Sequence, residues 1–493
     1  MYNACAAFDH GVEAAHDDEI RVGADTAIFK HLTFLLFKRG MLERDKQHES
    51  RERFPEQQTE NDGKCDDKTS GDNDSSNAIM EEITSTLQGL EMVLRCSADC
   101  ISVSFARMGS EVLPILISLL QEQRSQKDEH KHVSSSSALR DLNHAHSNSF
   151  QSASTASSTM SNVRLDSTTN HTVPRPTRDA IFKTATKIIG HFARVGSLTD
   201  TLASTNYLLT TLKQITAMPK ESSVPTEARL NCLWIIANLA CSAENMIKMA
   251  SHPGLVDTLV QVASHPTKEE EETCESVMEY LKILRSRSIA VRAILNLSWA
   301  HENKIALTEN STLVEALLMA ASHRQSSWTG DGKGVSWILM QSRRHAAGAL
   351  RNLAAAPRRY KRRLCRLRDD TFLETLAEIA TLDPDSVVRD KIHATLYNLV
   401  SADTAKLFIE KQVVLDVIVN AATSGDDSGG KDPDCAASCT MAIQTLRSLE
   451  KAIPEDEEDY EVLRPVLSRF DSQIAMNKSQ SRLGMSISSE TAV

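Results

Sequence analysis

Four asparagines close four similar phrases: Asn238 in IIANLA, Asn296 in AILNLS, Asn352 in ALRNLA and Asn398 in TLYNLV. A side-chain amide offers a donor and an acceptor, so it can pair with both backbone groups of an extended chain without demanding a particular side chain. On a helix, the residues four and seven before each Asn share its face. These are Trp234 and Asn231, Arg292 and Ile289, Gly348 and His345, and Ala394 and Lys391. The chemistry is recognition rather than bond making. A row of amides would hold a peptide strand, and Arg292, His345 and Lys391 would bias it toward acidic partners. The competing use of the same amides is to bond within the protein, near the end of each helix.

A second cluster is purely cationic. Arg358, Arg359, Lys361, Arg362 and Arg363 run almost without interruption, and Arg366 and Arg368 follow. Such a patch suits phosphate groups, an acidic protein surface or a nuclear localisation signal, and it serves equally as a solvated helix face. Other candidates carry less. Gly330, Gly332 and Gly334 have no preceding strand and the wrong order for a phosphate-binding loop, so they predict a flexible turn. His130, His132, His144 and His146 lack the partners of a zinc site. The last residues, Thr491-Ala492-Val493, have the pattern that PDZ domains capture, which three residues also reach by chance.

The elements that must carry the asparagines repeat as well. Two residues before each anchor stands an aliphatic: Ile236, Ile294, Leu350 and Leu396. Degenerate copies of the frame occur at Cys96, Gly190 and Ser448, which makes seven units. The clearest unit predicts a short helix from Glu244 to Ala250, a second from Leu255 to Ala263 and a third from Ser286 to Ser298, with Pro253-Gly254 breaking the first from the second. Apolar residues Ile289, Val291, Ile294 and Leu295 follow a helical period. A phrase that returns every few dozen residues marks a solenoid, because one unit cannot bury its apolar face alone.

The three-helix unit ending in Asn-Leu-Ala resembles the armadillo repeat of β-catenin and importin-α, over roughly residues 80–121 and 176–470. The resemblance implies an all-α, right-handed α-solenoid of about seven irregular armadillo repeats with disordered insertions. It implies that the third helices line a concave groove, with Asn231, Trp234, Asn238, Arg292, Asn296, His345, Asn352, Lys391 and Asn398 facing a bound peptide. Trp234 with Asn238 matches the Trp-x-x-x-Asn pair with which importin-α grips Lys and Arg stems. Only one repeat has the Trp, so the array for a nuclear localisation signal is missing and the groove is closer to that of β-catenin. In the repeat frame, the cluster from Arg358 to Arg368 falls on a first helix, at the outer edge.

Composition narrows the class. The chain has 493 residues, 4% of them aromatic, and a formal net charge of −11. Low aromatic content suits helices packed through Leu, Ile, Val and Ala, and the acidic balance argues against nucleic acid as partner. The ten cysteines form no CxxC pair, so buried small residues are expected rather than a metal site or a disulfide framework. The longest apolar run, Val112 to Leu120, is too short to span a bilayer. The N-terminus predicts no signal peptide, and the expected location is the cytoplasm, the nucleus or both.

The expected map is a disordered stretch at 1–23; a helix, a polar linker and a first repeat at 24–123; a Ser/Thr-rich disordered insertion at 124–174; repeats at 175–470; and a disordered tail at 471–493. The helix in the second segment spans Ala24 to Met41, and the linker, residues 44–77, is expected to be disordered. From Val133 to Thr172 nearly half the residues are Ser or Thr, too polar to offset ordering entropy. Smaller interruptions are the acidic run Glu269 to Glu272 and a loop from Ser326 to Ser336. The functional expectation is a non-catalytic scaffold or adaptor for extended acidic peptide segments, with no cofactor, metal or small-molecule substrate. The alternatives are an importin-α-like transport adaptor and a structural or cytoskeletal protein.

Overall fold

The computed structural model describes residues 71–93, 112–121, 175–219, 224–324, 332–423, 433–454 and 457–490. Every regular element among them is a helix. The chain divides into two compact units: residues 1–198, 206–211 and 218–231, and residues 199–205, 212–217 and 232–493. The expected segments at 1–23 and 124–174, the helix from Ala24 to Met41, the anchor at Cys96 and the terminal Thr491 to Val493 lie outside the described residues.

In the first unit, α1 (Gly71–Val93) packs along α3 (Arg175–Ala193), and the helix of residues 112–121, α2, covers the apolar run found in the sequence. Each buries a stripe at helical spacing: Ile79, Ile83, Leu87 and Leu90 on α1; Val112, Leu113, Leu116 and Leu120 on α2; Ile181, Ala185, Ile188 and Phe192 on α3. The linker expected to be disordered through residue 77 in fact becomes helical at Gly71. The stripe from Ile79 provides the nucleus that the preceding turns extend.

The second unit is an α-solenoid of short, medium and long helices in repeating order. α4 (Thr199–Ser204), the part of α5 (Leu208–Thr216) from Leu212 and the part of α6 (Thr226–Leu239) from Cys232 precede α7 (Ala243–Ala250), α8 (Leu255–Ala263) and α10 (Val277–Leu297), with the small α9 (Lys268–Thr273) inserted. Next come α11 (His301–Glu309), α12 (Ser311–Ser322) and α13 (Gly332–Ala354), then α14 (Arg358–Cys365), α15 (Phe372–Leu382) and α16 (Ser386–Leu399). The last repeat is α17 (Ala405–Ile409), α18 (Gln412–Thr423) and α19 (Pro433–Ala452), followed by α20 (Glu458–Glu490). Third helices stack on one another, α10 on α13, α13 on α16 and α16 on α19. Second helices form a parallel row, α8 against α12, α12 against α15 and α15 against α18. Between the rows lies an aliphatic core that includes Leu259, Ile294, Leu317, Leu350, Leu376, Leu396, Ile418 and Leu446. Full burial of each such side chain contributes about 1.5–3 kcal/mol.

Local signals behave as their chemistry requires. Pro253-Gly254 separates α7 from α8, with Gly254 at φ 70°, a conformation that a side chain would strain. Lys213 Nζ donates to Pro253 O at 2.8 Å and holds the turn. The acidic run is not a loose insertion but α9. Its start is closed by a capping box in which Thr267 Oγ1 accepts from the Glu270 N–H and Glu270 Oε2 accepts from the Thr267 N–H. Gly332 and Gly334 do not form a turn; they open α13, so the expected loop to Ser336 is helical from Gly332 onward. The tail expected to be disordered from Asp471 continues α20 as far as Glu490. Its root is anchored by Leu463, Val466, Leu467 and Phe470, and extending a formed helix costs little.

Candidate recognition face of the third helices

The four asparagines lie one on each of α6, α10, α13 and α16, but the donors of Asn296, Asn352 and Asn398 turn inward along the stack. Asn296 Nδ2 donates to Ala237 O at 3.0 Å and lies 3.2 Å from Cys241 Sγ. Asn398 Nδ2 donates to Arg351 O at 3.1 Å. Asn352 Nδ2 donates to Ser298 Oγ at 3.0 Å and is buried, 7% exposed. Each amide thus clasps the C-terminal turn of the preceding third helix, where backbone carbonyls lack helical partners. Two-point pairing with a peptide backbone is therefore not open to these three side chains as they stand. Among the described residues, Asn296 Oδ1 and Asn398 Oδ1 accept no hydrogen bond, so an acceptor remains on each. Asn231 belongs to the first unit, where its Nδ2 donates to Thr186 Oγ1 at 3.1 Å.

The cations form a second line on the same helices. Arg292 extends from α10 over the indole of Trp234, Cζ 5.1 Å from the ring centroid, and its Nη2 donates to Asn238 Oδ1 at 3.1 Å. One repeat later, Arg351 lies over Trp299 at 5.8 Å. Both indoles are open to solvent, Trp234 at 45% and Trp299 at 48%. Such stacks contribute about 0.5–1 kcal/mol each at exposed sites. Their larger effect is to fix the guanidinium forks. Among the described residues, neither Arg292, Arg351 nor Lys391 forms an ion pair. Elsewhere on the unit, Arg344, Arg358, Arg447 and Arg469 all do.

Lys391 Nζ donates to Arg344 O at 2.9 Å. Burial, then the nearby Arg351 and Arg344, lower its pKa to about 8, so it remains mostly charged at neutral pH. His345 departs from expectation. Burial, with Arg292 and Lys391 beside it, lowers its pKa to about 4, so it is neutral and adds no positive charge to the face. Gly348, four residues before Asn352, allows close approach: a Cβ there would meet Leu295 Cδ1 at 3.0 Å and Lys391 Nζ at 3.7 Å. Leu295 leans over that gap and is half-buried, whereas Ile289, Val291 and Ile294 are buried.

The cluster from Arg358 lies on α14, a first helix, as the repeat frame predicts. Much of it is already engaged. Arg358 pairs with Asp403 at 2.6 Å, Arg359 stacks on Tyr360 at 4.5 Å, and Arg363 donates to Glu309 O at 2.9 Å. Lys361 is half-buried, and burial lowers its pKa. Arg362 and Arg366 are exposed, and Arg368 stands in a left-handed turn at φ 56°. Cys232 and Cys365 are buried, as small apolar residues would be, whereas Cys274 and Cys439 are half-buried and Cys241 is exposed. Among the described residues no group of His, Cys, Asp and Glu could hold a metal ion. No described helix is long and apolar enough to cross a membrane.

Sequence reasoning missed Trp299 and Arg351. Trp299 lies three residues beyond Asn296 and Arg351 one residue before Asn352, outside the four-and-seven spacing used to find the face. The available signal was the pairing itself: an Arg in one repeat and a Trp in the one before it occur twice in succession.

No protein-family model and no curated protein matches the chain. Solved structures show distant likeness. An engineered protein is 16% identical over 57% of this chain and 92% of its own, with a TM-score of 0.39. A mutant of Kap121p is 12% identical over 83% of this chain and 50% of its own, with a TM-score of 0.24. The UNC-45 chaperone, whose structure concerns binding and folding of muscle myosin, is 10% identical over 82% of this chain and 60% of its own, with a TM-score of 0.14. The chain thus spans about half the length of the Kap121p chain.

Proposed function

We propose that this chain is a non-catalytic scaffold of the armadillo type, working in the cytoplasm or nucleus, and that its third helices capture extended acidic peptide segments. The observation that carries this is the line of cations without carboxylate partners, Arg292 and Arg351 each laid over a Trp and Lys391 beside them. A guanidinium resting over an indole and bonded to a neighbouring amide loses little freedom on meeting a carboxylate with its remaining donors. Asn238 Nδ2, Asn296 Oδ1 and Asn398 Oδ1 supply polar partners for the peptide backbone, one group per repeat instead of two. The transport alternative fares worse. A basic signal peptide would need the face of Trp234 and the oxygen of Asn238, and Arg292 occupies both.

The test is binding of a fluorescent peptide rich in Asp and Glu to the full chain. Changing both Arg292 and Arg351 to Ala is expected to weaken binding at least about tenfold, since hydrogen bonds to charged groups are worth about 1.5–3 kcal/mol each. Added salt is expected to weaken it further in the wild type than in the variant. A folded double variant that keeps full affinity would remove the cationic line from the function and direct attention to Arg362 and Arg366.

A further inference from the structure

The third helices are not of equal length. α6 and α16 have 14 residues each, whereas α10 has 21 and α13 has 23. The surplus lies at their N-terminal ends and adds about two turns. A solenoid does not need these turns, yet they carry a small core of their own. Tyr280 and Leu284 from α10 pack with Val335, Ile338 and Leu339 from α13, and Cys274, Val277 and Leu281 close over them. The two extensions form a rigid ledge rather than frayed ends.

The ledge turns two large apolar side chains to solvent. Met278 is 62% exposed and Trp337 is 57% exposed. By helical spacing, Met278, Leu281 and Arg285 continue the stripe that carries Arg292 on α10, and Trp337 and Gln341 continue the stripe of Gly348 on α13. Directly before the ledge stand Glu269, Glu272 and Glu275, exposed and, among the described residues, without ionic partners. Their neighbours in α9 are fixed by contacts that leave these three outward. Glu270 closes the capping box and meets His265 Nδ1 at 2.6 Å, and Glu271 faces His323 Nε2 at 3.6 Å. His323 Nδ1 in turn meets the buried Arg287 at 2.6 Å, which ties α9 to the core.

We propose that this ledge is a second docking surface, separate from the cationic line, and that its occupant is an amphipathic segment of another protein with large apolar side chains flanked by Lys and Arg. Met278, Leu281 and Trp337 receive the apolar face, a large aromatic beside an adaptable thioether being suited to anchoring one. Glu269, Glu272 and Glu275 receive the basic flank and reject acidic segments. The scaffold then holds two partners of opposite charge on one row of helices, an acidic strand near the C-terminal ends and a basic amphipathic segment at the N-terminal extensions. The ledge does not depend on the acidic-peptide proposal.

The test uses the full chain with two synthetic probes, an amphipathic Leu/Lys helical peptide and its Leu/Glu counterpart, read by tryptophan fluorescence and by anisotropy of a labelled peptide. The Leu/Lys probe is expected to bind, with a fluorescence change that the Trp337→Phe variant lacks, and the Leu/Glu probe is expected not to compete for the ledge. Reversing Glu269, Glu272 and Glu275 to Lys is expected to weaken the Leu/Lys probe about tenfold, three exposed pairs contributing modestly each. Changing Arg292 and Arg351 to Ala should leave this probe unaffected, so failure here and failure of the acidic-peptide proposal are separately visible. If Trp337→Phe lowers the melting temperature, Met278→Glu serves as the anchor variant and is expected to abolish binding. Equal affinity for the two probes in the chain carrying Arg292→Ala and Arg351→Ala, or full affinity of the Leu/Lys probe in the charge-reversed chain, would overturn the proposal. So would self-association in sedimentation that Met278→Glu removes, because the ledge would then be covered by a second copy of the chain.

Discussion

Asn352 donates its amide to Ser298 Oγ at 3.0 Å in a buried contact between the third helices of successive repeats. A side chain that could face a ligand instead joins two units. Asn352→Ala is therefore expected to destabilise the fold by about 1.5 kcal/mol, the upper end of a hydrogen bond's net contribution, since Ser298 Oγ keeps its bond to Leu295 O. Asn398→Ala removes a half-buried contact and is expected to cost nearer about 1 kcal/mol. Urea unfolding of both variants checks the order. Equal and negligible losses would show that the clasps contribute nothing.

Two histidines, His345 half-buried and His393 buried, make stability depend on pH. His345 is surrounded by Arg292, Lys391 and Arg344, and His393 by Arg389. Burial and these charges lower each to about 4, against an ordinary value of 6.5. Below 6.5 the unfolded chain takes up protons that the native imidazoles refuse. Stability is thus lost as pH falls from 6.5 to about 4, by up to roughly 3 kcal/mol for each group. Unfolding midpoints measured from pH 7 to 4 are expected to fall, and to fall less when both residues are changed to Gln. An unchanged slope in the double variant would mean that carboxylates govern the acid transition.

Much of the architecture was legible because it repeats. The anchors at Asn238, Asn296, Asn352 and Asn398 each close a third helix, and the span from Leu255 to Ala263 is a helix with those same ends. The extensions of α10 and α13 were not legible, because Tyr280, Leu284, Val335 and Ile338 bury themselves against each other across two repeats and no local pattern announces that pairing. The face was legible in position but not in chemistry. Sequence places an Asn on a helix, but whether its amide points outward or toward a carbonyl of the preceding repeat depends on how closely the helices stack. His345 shows the same limit: its type suggests charge, and its burial removes it.

Lys391 gives the cationic line its own pH response. Burial, then Arg351 and Arg344, lower it to about 8 from an ordinary 10.5, so it loses its charge as pH rises through 8 while the arginines keep theirs. Affinity for an acidic peptide is expected to drop severalfold between pH 7 and 9, and Lys391→Arg is expected to remove the drop. A wild-type affinity constant across that range would place Lys391 outside the contact.

The deepest ion pair among the described residues joins Arg343 Nε on α13 to Asp383 Oδ2 at the end of α15, 2.9 Å apart, with side chains 6% and 0% exposed. Burial pushes the Asp383 carboxyl upward, while the Asp385 N–H, which it accepts at 2.9 Å, and the Arg343 charge pull it down. The pair ties the third helix of one repeat to the second helix of the next, where a solenoid transmits its stability. Desolvation nearly offsets the attraction in such a pair, so removing one partner costs more than the pair contributes. Asp383→Ala is expected to destabilise by about 3–5 kcal/mol, because it strands the Arg343 guanidinium in the core. The double change Arg343→Met with Asp383→Leu is expected to recover much of that loss. Both are read by urea unfolding at neutral pH. A loss below about 1 kcal/mol for Asp383→Ala would mean that water reaches Arg343 and that the repeats separate there more easily than the packing implies.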